Sequence, residues 1–218
     1  MSEHLYERSI FINCPFDRDY QPLFRALTFA VHDCGFVARC ALEADDGGEV
    51  RIAKIQRIIR DSQHGIHDIS RTELDLATGL PRFNMPFELG LFLGAREFGA
   101  GQQKKKRALI LDRERYRYQK FFSDISGQDI KAHEDNPEKA IRAVRNWLTT
   151  ALGGSVLLLS GAEMSRRYET FADDLAEVCA ELQLEIHDLQ FVELRTLAEE
   201  WVDKFPLSMR AGVNFGEP

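Results

Sequence analysis

Four short apolar runs, rich in β-branched and aromatic residues, punctuate the first 112 residues, and a stretch of helical periodicity separates most of them. This alternation constrains the fold more than any other feature. SIFIN (9–13) has the pattern of a buried strand and ends before Pro15, which has no N–H to give a ladder. In residues 20–35, Leu23, Phe24, Leu27, Ala30 and Val31 recur at helical spacing, and Gly35 supplies a stop. FVARCAL (36–42) is a second strand and EADDGGE (43–49) an acidic loop. Residues 50–62 place Ile52, Ile55, Ile58 and Ile59 on one helical stripe. GIHDIS (65–70) is a third strand, 71–82 a loop, 85–98 a helix, and ALILD (108–112) a fourth strand with Asp112 at its carboxyl end. Within 114–135, DIKAH suggests a short edge strand; 136–152 is a helix with Asn136 as cap and Pro137 at its first position.

This order predicts an α/β protein: a flavodoxin-like, doubly wound parallel sheet of about five strands, with right-handed crossovers that put helices on both faces. After Gly153-Gly154 the pattern changes. Met164, Tyr168, Phe171, Leu175, Val178 and Leu182 fall at steps of four and three, and a second stripe runs from Phe191 to Phe205. The chain thus divides into an α/β domain (1–152) and a C-terminal helical hairpin (153–218). The hairpin is expected to pack on the first domain, or to dimerise through a heptad-like seam.

Composition enters for what it excludes. A net charge of −7 argues against nucleic acid as partner. The one basic run, Lys104-Lys105-Lys106-Arg107, reads as a solvated loop before a strand. Four cysteines without CxxC pairing suit reduced thiols in a cytoplasmic protein. The charged N-terminus has no signal-peptide core, and no apolar run nears the ~20 residues of a membrane span.

An open parallel sheet binds ligands beyond the carboxyl ends of its strands. Asn13, Cys14, Phe16, Asp17 and Tyr20 follow the first strand; Arg39 lies in or near the second, with Glu43 after it. Asp68 and Ser70 end the third, and Asp112 the fourth. Asn13, Cys14, Phe16, Asp17, Tyr20, Arg39 and Ser70 are the expected substrate-binding set. Asn84 and Glu88 open the helix after the third strand. Asn84 suits an N-cap with Pro86 in the first turn, where the helix dipole favours the Glu88 carboxylate. An acid there is often only a cap, as Asp68 is often only a strand-end turn residue. Phe83, Met85, Phe87, Leu89, Leu91 and Phe92 nevertheless flank Glu88 with apolar bulk, at the edge of a dry pocket where a carboxylate is costly or useful.

HDIS, then NMPFELG opening a helix, then ALILD, resembles the pattern of nucleoside 2-deoxyribosyltransferases. The same carboxylate position recurs in Toll/interleukin-receptor (TIR) domains that cleave NAD, and FINCPFD with Tyr20 is similar to the opening of this superfamily. The resemblance covers about residues 8–150. It implies that Glu88 meets the anomeric carbon of a ribosyl group, that Asp68 binds the base or ribose edge, and that Asn84 orients Glu88. The implied activity is N-glycosidic cleavage of NAD or a related nucleotide or nucleoside, with a role in bacterial defence, NAD as substrate rather than cofactor, no metal, and a homo-oligomeric assembly. The alternative is a non-catalytic module that senses a nucleotide. No residue of AGVNFGEP clearly matches the one a deoxyribosyltransferase lends its neighbour, although Asn214 is a candidate, and the 71–82 loop is long. Both departures favour hydrolysis over base exchange. His64 and His67 should point to opposite faces of their strand, which argues against a metal site. Cys14 has no sequence-adjacent base, and no glycine-rich phosphate loop is present.

Overall fold

The computed structural model describes residues 3–44, 46–74, 79–153 and 156–206. After a short helix α1 (Glu3–Arg8), five strands form one all-parallel sheet: β1 (Ser9–Asn13), β2 (Val37–Arg39), β3 (His64–Asp68), β4 (Arg107–Asp112) and β5 (Lys131–Ala132), in the order β2-β1-β3-β4-β5. Every residue of β1 and β3 is buried, as expected of central strands covered on both faces. The crossovers run through α2 (Gln21–Asp33), α3 (Arg51–Arg60) and α4 (Asn84–Phe98), and α5 (Pro137–Ala151) follows β5. α2 packs against α5 on one face and α3 against α4 on the other, so the sheet is doubly wound and flavodoxin-like.

The strand pleat sorts the core. Ile10 and Ile12 of β1 join Ile66 in the α2/α5 cluster, whereas Phe11 packs with Ile55, Ile58, Ile59 and Phe92 on the other side. His64 and His67 part in the same way. His64 meets Phe36 and Trp147, and His67 meets Phe11 and Phe92. Local signals act as their chemistry requires: Gly35 takes φ +82° just after α2, and the Asn136 side chain accepts from the Lys139 N–H at the start of α5.

The apolar stripes of α6 (Gly161–Glu181) and α7 (Phe191–Lys204) share a single core cluster with α2 and α5. Phe29 of α2 stacks on Phe171 at 5.0 Å and meets Trp201 edge-on at 5.5 Å. Across the same seam Arg167 of α6 ion-pairs with Asp33 of α2, both side chains fully buried, and its guanidinium lies 5.0 Å over Trp201. Two solvent-starved charges are tolerable only because each neutralises the other.

One expectation fails in the basic run. Lys106 is not solvated; it is buried, with its Nζ donating to the carbonyls of Ile59 (2.5 Å) and Ser62 and lying 4.7 Å over the Phe92 ring. Ile59 lies in the last turn of α3 and Ser62 just past its cap, so the lysine ties down the helix end although burial pulls its pKa down to about 7. No helix among the described residues is long and apolar enough to cross a membrane.

Candidate functional site

Parallel register brings the ends of β1, β3 and β4 to one edge, pairing Asn13 with His67 and Asp68 with Leu111. The entry to α4 lies over that edge and differs from expectation. Its N-cap is Phe83, without a side-chain bond, while Asn84 is the exposed first helical residue. Asn84 is therefore neither the cap nor a hydrogen-bond partner of Glu88 among the described residues. Pro86 occupies the position whose missing N–H costs nothing, so the turn needs no polar cap there. What fixes the helix start is Asn13, whose Nδ2 donates to the Met85 carbonyl (2.9 Å) and lies 3.1 Å from His67 Nδ1. Burial, with the Lys106 charge, lowers the His67 pKa to about 3, so the ring is neutral; Nδ1 accepts and the proton sits on Nε2.

Glu88 falls in the second turn of α4, not the first, where the helix dipole has largely faded. It is 6% exposed. Met85, Leu89 and Phe92 are buried beside it in sequence, but Phe83 and Phe87 face outward, so the apolar wall is only partial. Burial raises its pKa to about 7, against a weaker opposing pull from Arg51. Among the described residues nothing hydrogen-bonds or ion-pairs with the carboxyl. Cys14 feels both Glu88 and Asp68. Burial first, then the Cys40 thiol and these carboxylates, pushes its own thiol well above the usual range, so it is no thiolate nucleophile.

Asp68 is organised oppositely. It is fully buried, and its oxygens are taken by the chain itself: Oδ2 accepts from the Tyr20 hydroxyl at 2.5 Å and Oδ1 from the Ser70 N–H at 2.8 Å. His133 Nε2 approaches Oδ2 to 3.0 Å, off the line of a good hydrogen bond, and we count the contact as electrostatic. Burial alone would raise the Asp68 pKa; His133, Ser70 and Tyr20 together outweigh it and hold the carboxyl below its ordinary value. His133 Nδ1 accepts from the Asp135 N–H at 3.0 Å, which leaves the ring proton on Nε2, toward Asp68. Tyr20, itself 1% exposed, is pushed well above its usual pKa by burial and by Asp68. The expected contact between Asp68 and a base or ribose edge has no open face to use. Asp68 ties the end of β3 to Tyr20, Ser70 and His133.

The remaining expected residues divide. Phe16 is half-buried at the seam of two core clusters, edge-on to Phe24 at 5.3 Å. Asp17 caps the 3-10 turn before α2 through the Tyr20 N–H and lies 3.9 Å from Arg71. Ser70 is buried, with no partner for its hydroxyl among the described residues. Arg39, at the far edge of the sheet, spends its guanidinium on Glu43 in a bidentate pair (2.5 Å each). Asn214 and residues 75–78 lie outside the described residues; Leu74 and Pro81 bridge antiparallel across that loop. Two residues not singled out in the sequence complete the edge. His133 is one, and Arg117 is the other, binding Asp112 Oδ1 (2.8 Å) and the Ile69 carbonyl (2.9 Å). His133 ends the DIKAH edge-strand pattern and Arg117 follows the fourth strand, and neither position signals in sequence that it meets a carboxylate. Among the described residues no cluster of three or more His, Cys, Asp or Glu is arranged to hold a metal ion.

Compared with known proteins, the chain matches no family model and no curated protein.

Proposed function

We propose that the crevice beyond β1 and β3 cleaves the N-glycosidic bond of NAD or a related nucleotide or nucleoside, with Glu88 as the working carboxylate. The observation that carries this reading is a buried acid without a partner among the described residues, beside a second acid that the chain has sealed off. In such a cleavage the C1′–N bond breaks with its electron pair leaving on the base, and positive charge develops on the sugar. A carboxylate freed from water meets that charge electrostatically or bonds to C1′. Water then adds to C1′ and one proton is released. With Asp68 engaged by Tyr20 and Ser70, and Asp112 by Arg117, neither strand-end acid among the described residues is free to protonate a leaving base. That favours a substrate whose glycosidic nitrogen is already cationic, as in a nicotinamide riboside, because its base departs neutral.

Chromatography of NAD, NADP and a nucleoside panel incubated with the protein tests this. The wild type should release free base, the Glu88→Gln variant should bind but turn over at least a hundredfold more slowly, and the wild-type rate should rise with pH through about 7 as Glu88 ionises. Equal release by both proteins would remove Glu88 from the chemistry. The saturation of Asp68 also favours a second reading, a module that senses the nucleotide without turnover; it predicts binding by both proteins and base release by neither.

A further inference from the structure

Away from Glu88, a groove of about 850 Å³ runs along the free side of β4. β5 pairs only with Leu111 and Asp112, so Arg107–Ile110 has β3 on one side and no described strand on the other. Arg107 donates its N–H to Gln63, and the Leu111 carbonyl accepts from Ile69; the odd-numbered peptide groups of β4 therefore serve β3. Those of Ala108 and Ile110 point the other way, and both residues line the groove; the register gives the Ile110 carbonyl to the Lys131 N–H at the start of β5, which leaves the Ala108 N–H and C=O and the Ile110 N–H facing the groove. The opposite wall is one face of α5, from Lys139 to Thr150. The open stretch of β4 is about 13 Å long at strand rise, and the α5 wall about 17 Å at helix rise. Each suits an extended segment of roughly five residues. In effect the sheet lacks the lower half of its fifth strand.

Two further observations say what fits. Four cations line the groove (Arg115, Lys131, Lys139 and Arg142) against two carboxylates, Asp129 and Glu134, in a chain whose net charge is −7. Arg115 makes no ion pair among the described residues, and the pairs Lys131–Asp129, Lys139–Glu134 and Arg142–Glu138 are exposed ones that an incoming carboxylate can replace. Backbone strain also gathers at the rim. Tyr116, Glu134 and Asp135 hold φ of 62°, 53° and 52°, and Tyr116 and Glu134 line the groove. Strain of this kind persists at ligand clamps and switch regions.

We infer that this groove is a docking site for an acidic peptide, bound in extended form as a strand added to β4. Backbone bonds to β4 hold it, and alternate acidic side chains meet the cations of α5 and the 115–131 wall. The site is independent of Glu88.

Fluorescence anisotropy of the full chain with a labelled hexapeptide of alternating Glu and Val tests the inference. Saturable binding is expected, at least tenfold weaker for the Lys/Val analogue. It should be abolished when alternate amides are N-methylated, weakened at least tenfold by Arg142→Glu, and unchanged by Glu88→Gln. Hydrogen exchange at the Ala108 amide should slow at least tenfold on saturation. Arg142 is half exposed, so its replacement leaves the fold intact, and the exchange measurement on the wild type needs no variant at all. Absence of binding, equal binding of the Lys/Val peptide, indifference to N-methylation, or an unchanged Ala108 amide would each overturn it; the last two would reduce the groove to a diffuse cationic surface or a small-anion site.

Discussion

Glu88 and Asp68 are two buried carboxyls at one sheet edge, and their surroundings drive them apart. Glu88 has a folded pKa of about 7 against an ordinary 4.5. Its protonated form is stabilised by folding, so that stability is complete below about pH 4.5, declines as pH rises through about 7, and is flat above. The full swing is about 3 kcal/mol. Glu88→Gln should therefore match the wild type in urea unfolding at pH 4.5 and exceed it by about 3 kcal/mol at pH 8. A less stable variant at pH 8 would mean the carboxylate has a partner after all. Asp68 has the opposite sign: its folded pKa lies below 3.8, so its stabilisation is present above that value and is lost as pH falls through the folded pKa. Asp68→Asn should cost about 3 kcal/mol at pH 7, with the deficit shrinking as pH falls from 3.8 through the lower folded pKa and the wild type protonates. A uniform deficit down to pH 2 would say that shape, not charge, is what the position supplies. Sequence could place both acids, but it could not distinguish them. The distinction depends on Tyr20 and His133, the latter 65 positions from Asp68 in sequence, at the end of an edge-strand pattern that gives no sign of which acid its histidine will meet.

Elements were far more legible than their joints. Period-two and helical spacing carry strands and helices because burial on fixed faces writes them into residue order. The cap of α4 was misread because Asn is so common a cap, whereas here Asn13 on another strand anchors the helix. Lys106 was misread because a basic run is normally solvated, and nothing local reveals that a helix end awaits it. β3 shows how an element can depend on one missing side chain. A Cβ at Gly65 would stand 2.5 Å from His67 Nε2 and 2.8 Å from the Phe92 ring, between two packed rings with no room to retreat. Gly65→Ala should destabilise the protein by about 2 kcal/mol and perturb the His67 resonances in NMR. An unperturbed ring with full stability would show that α4 can lift off β3 without cost.

On the scale of the molecule, α6 and α7 close the α2 face, and the Asp33–Arg167 pair lies inside that closure. Removing one partner strands the other charge, so Arg167→Met should cost about 4 kcal/mol, while Asp33→Asn with Arg167→Met should recover at least half of it. Additive losses in urea unfolding would mean the pair is not coupled. The stripes of α6 and α7 were readable in sequence; their buried ion pair was not, because Arg167 sits in an ordinary helical sequence.

That closure also has an order in time. α2 leaves the ribosome early, but Phe29 and Asp33 cannot be covered until Arg167, Phe171 and Trp201 have been synthesised, the last of them 168 residues after Asp33. At bacterial to eukaryotic elongation speeds the nascent chain carries a bare aromatic face with an unmatched charge for roughly ten to thirty seconds. The last step in folding the α/β half therefore waits for α6 and α7 to emerge, and in that interval chaperones, rather than the chain's own contacts, keep α2 from sticking elsewhere.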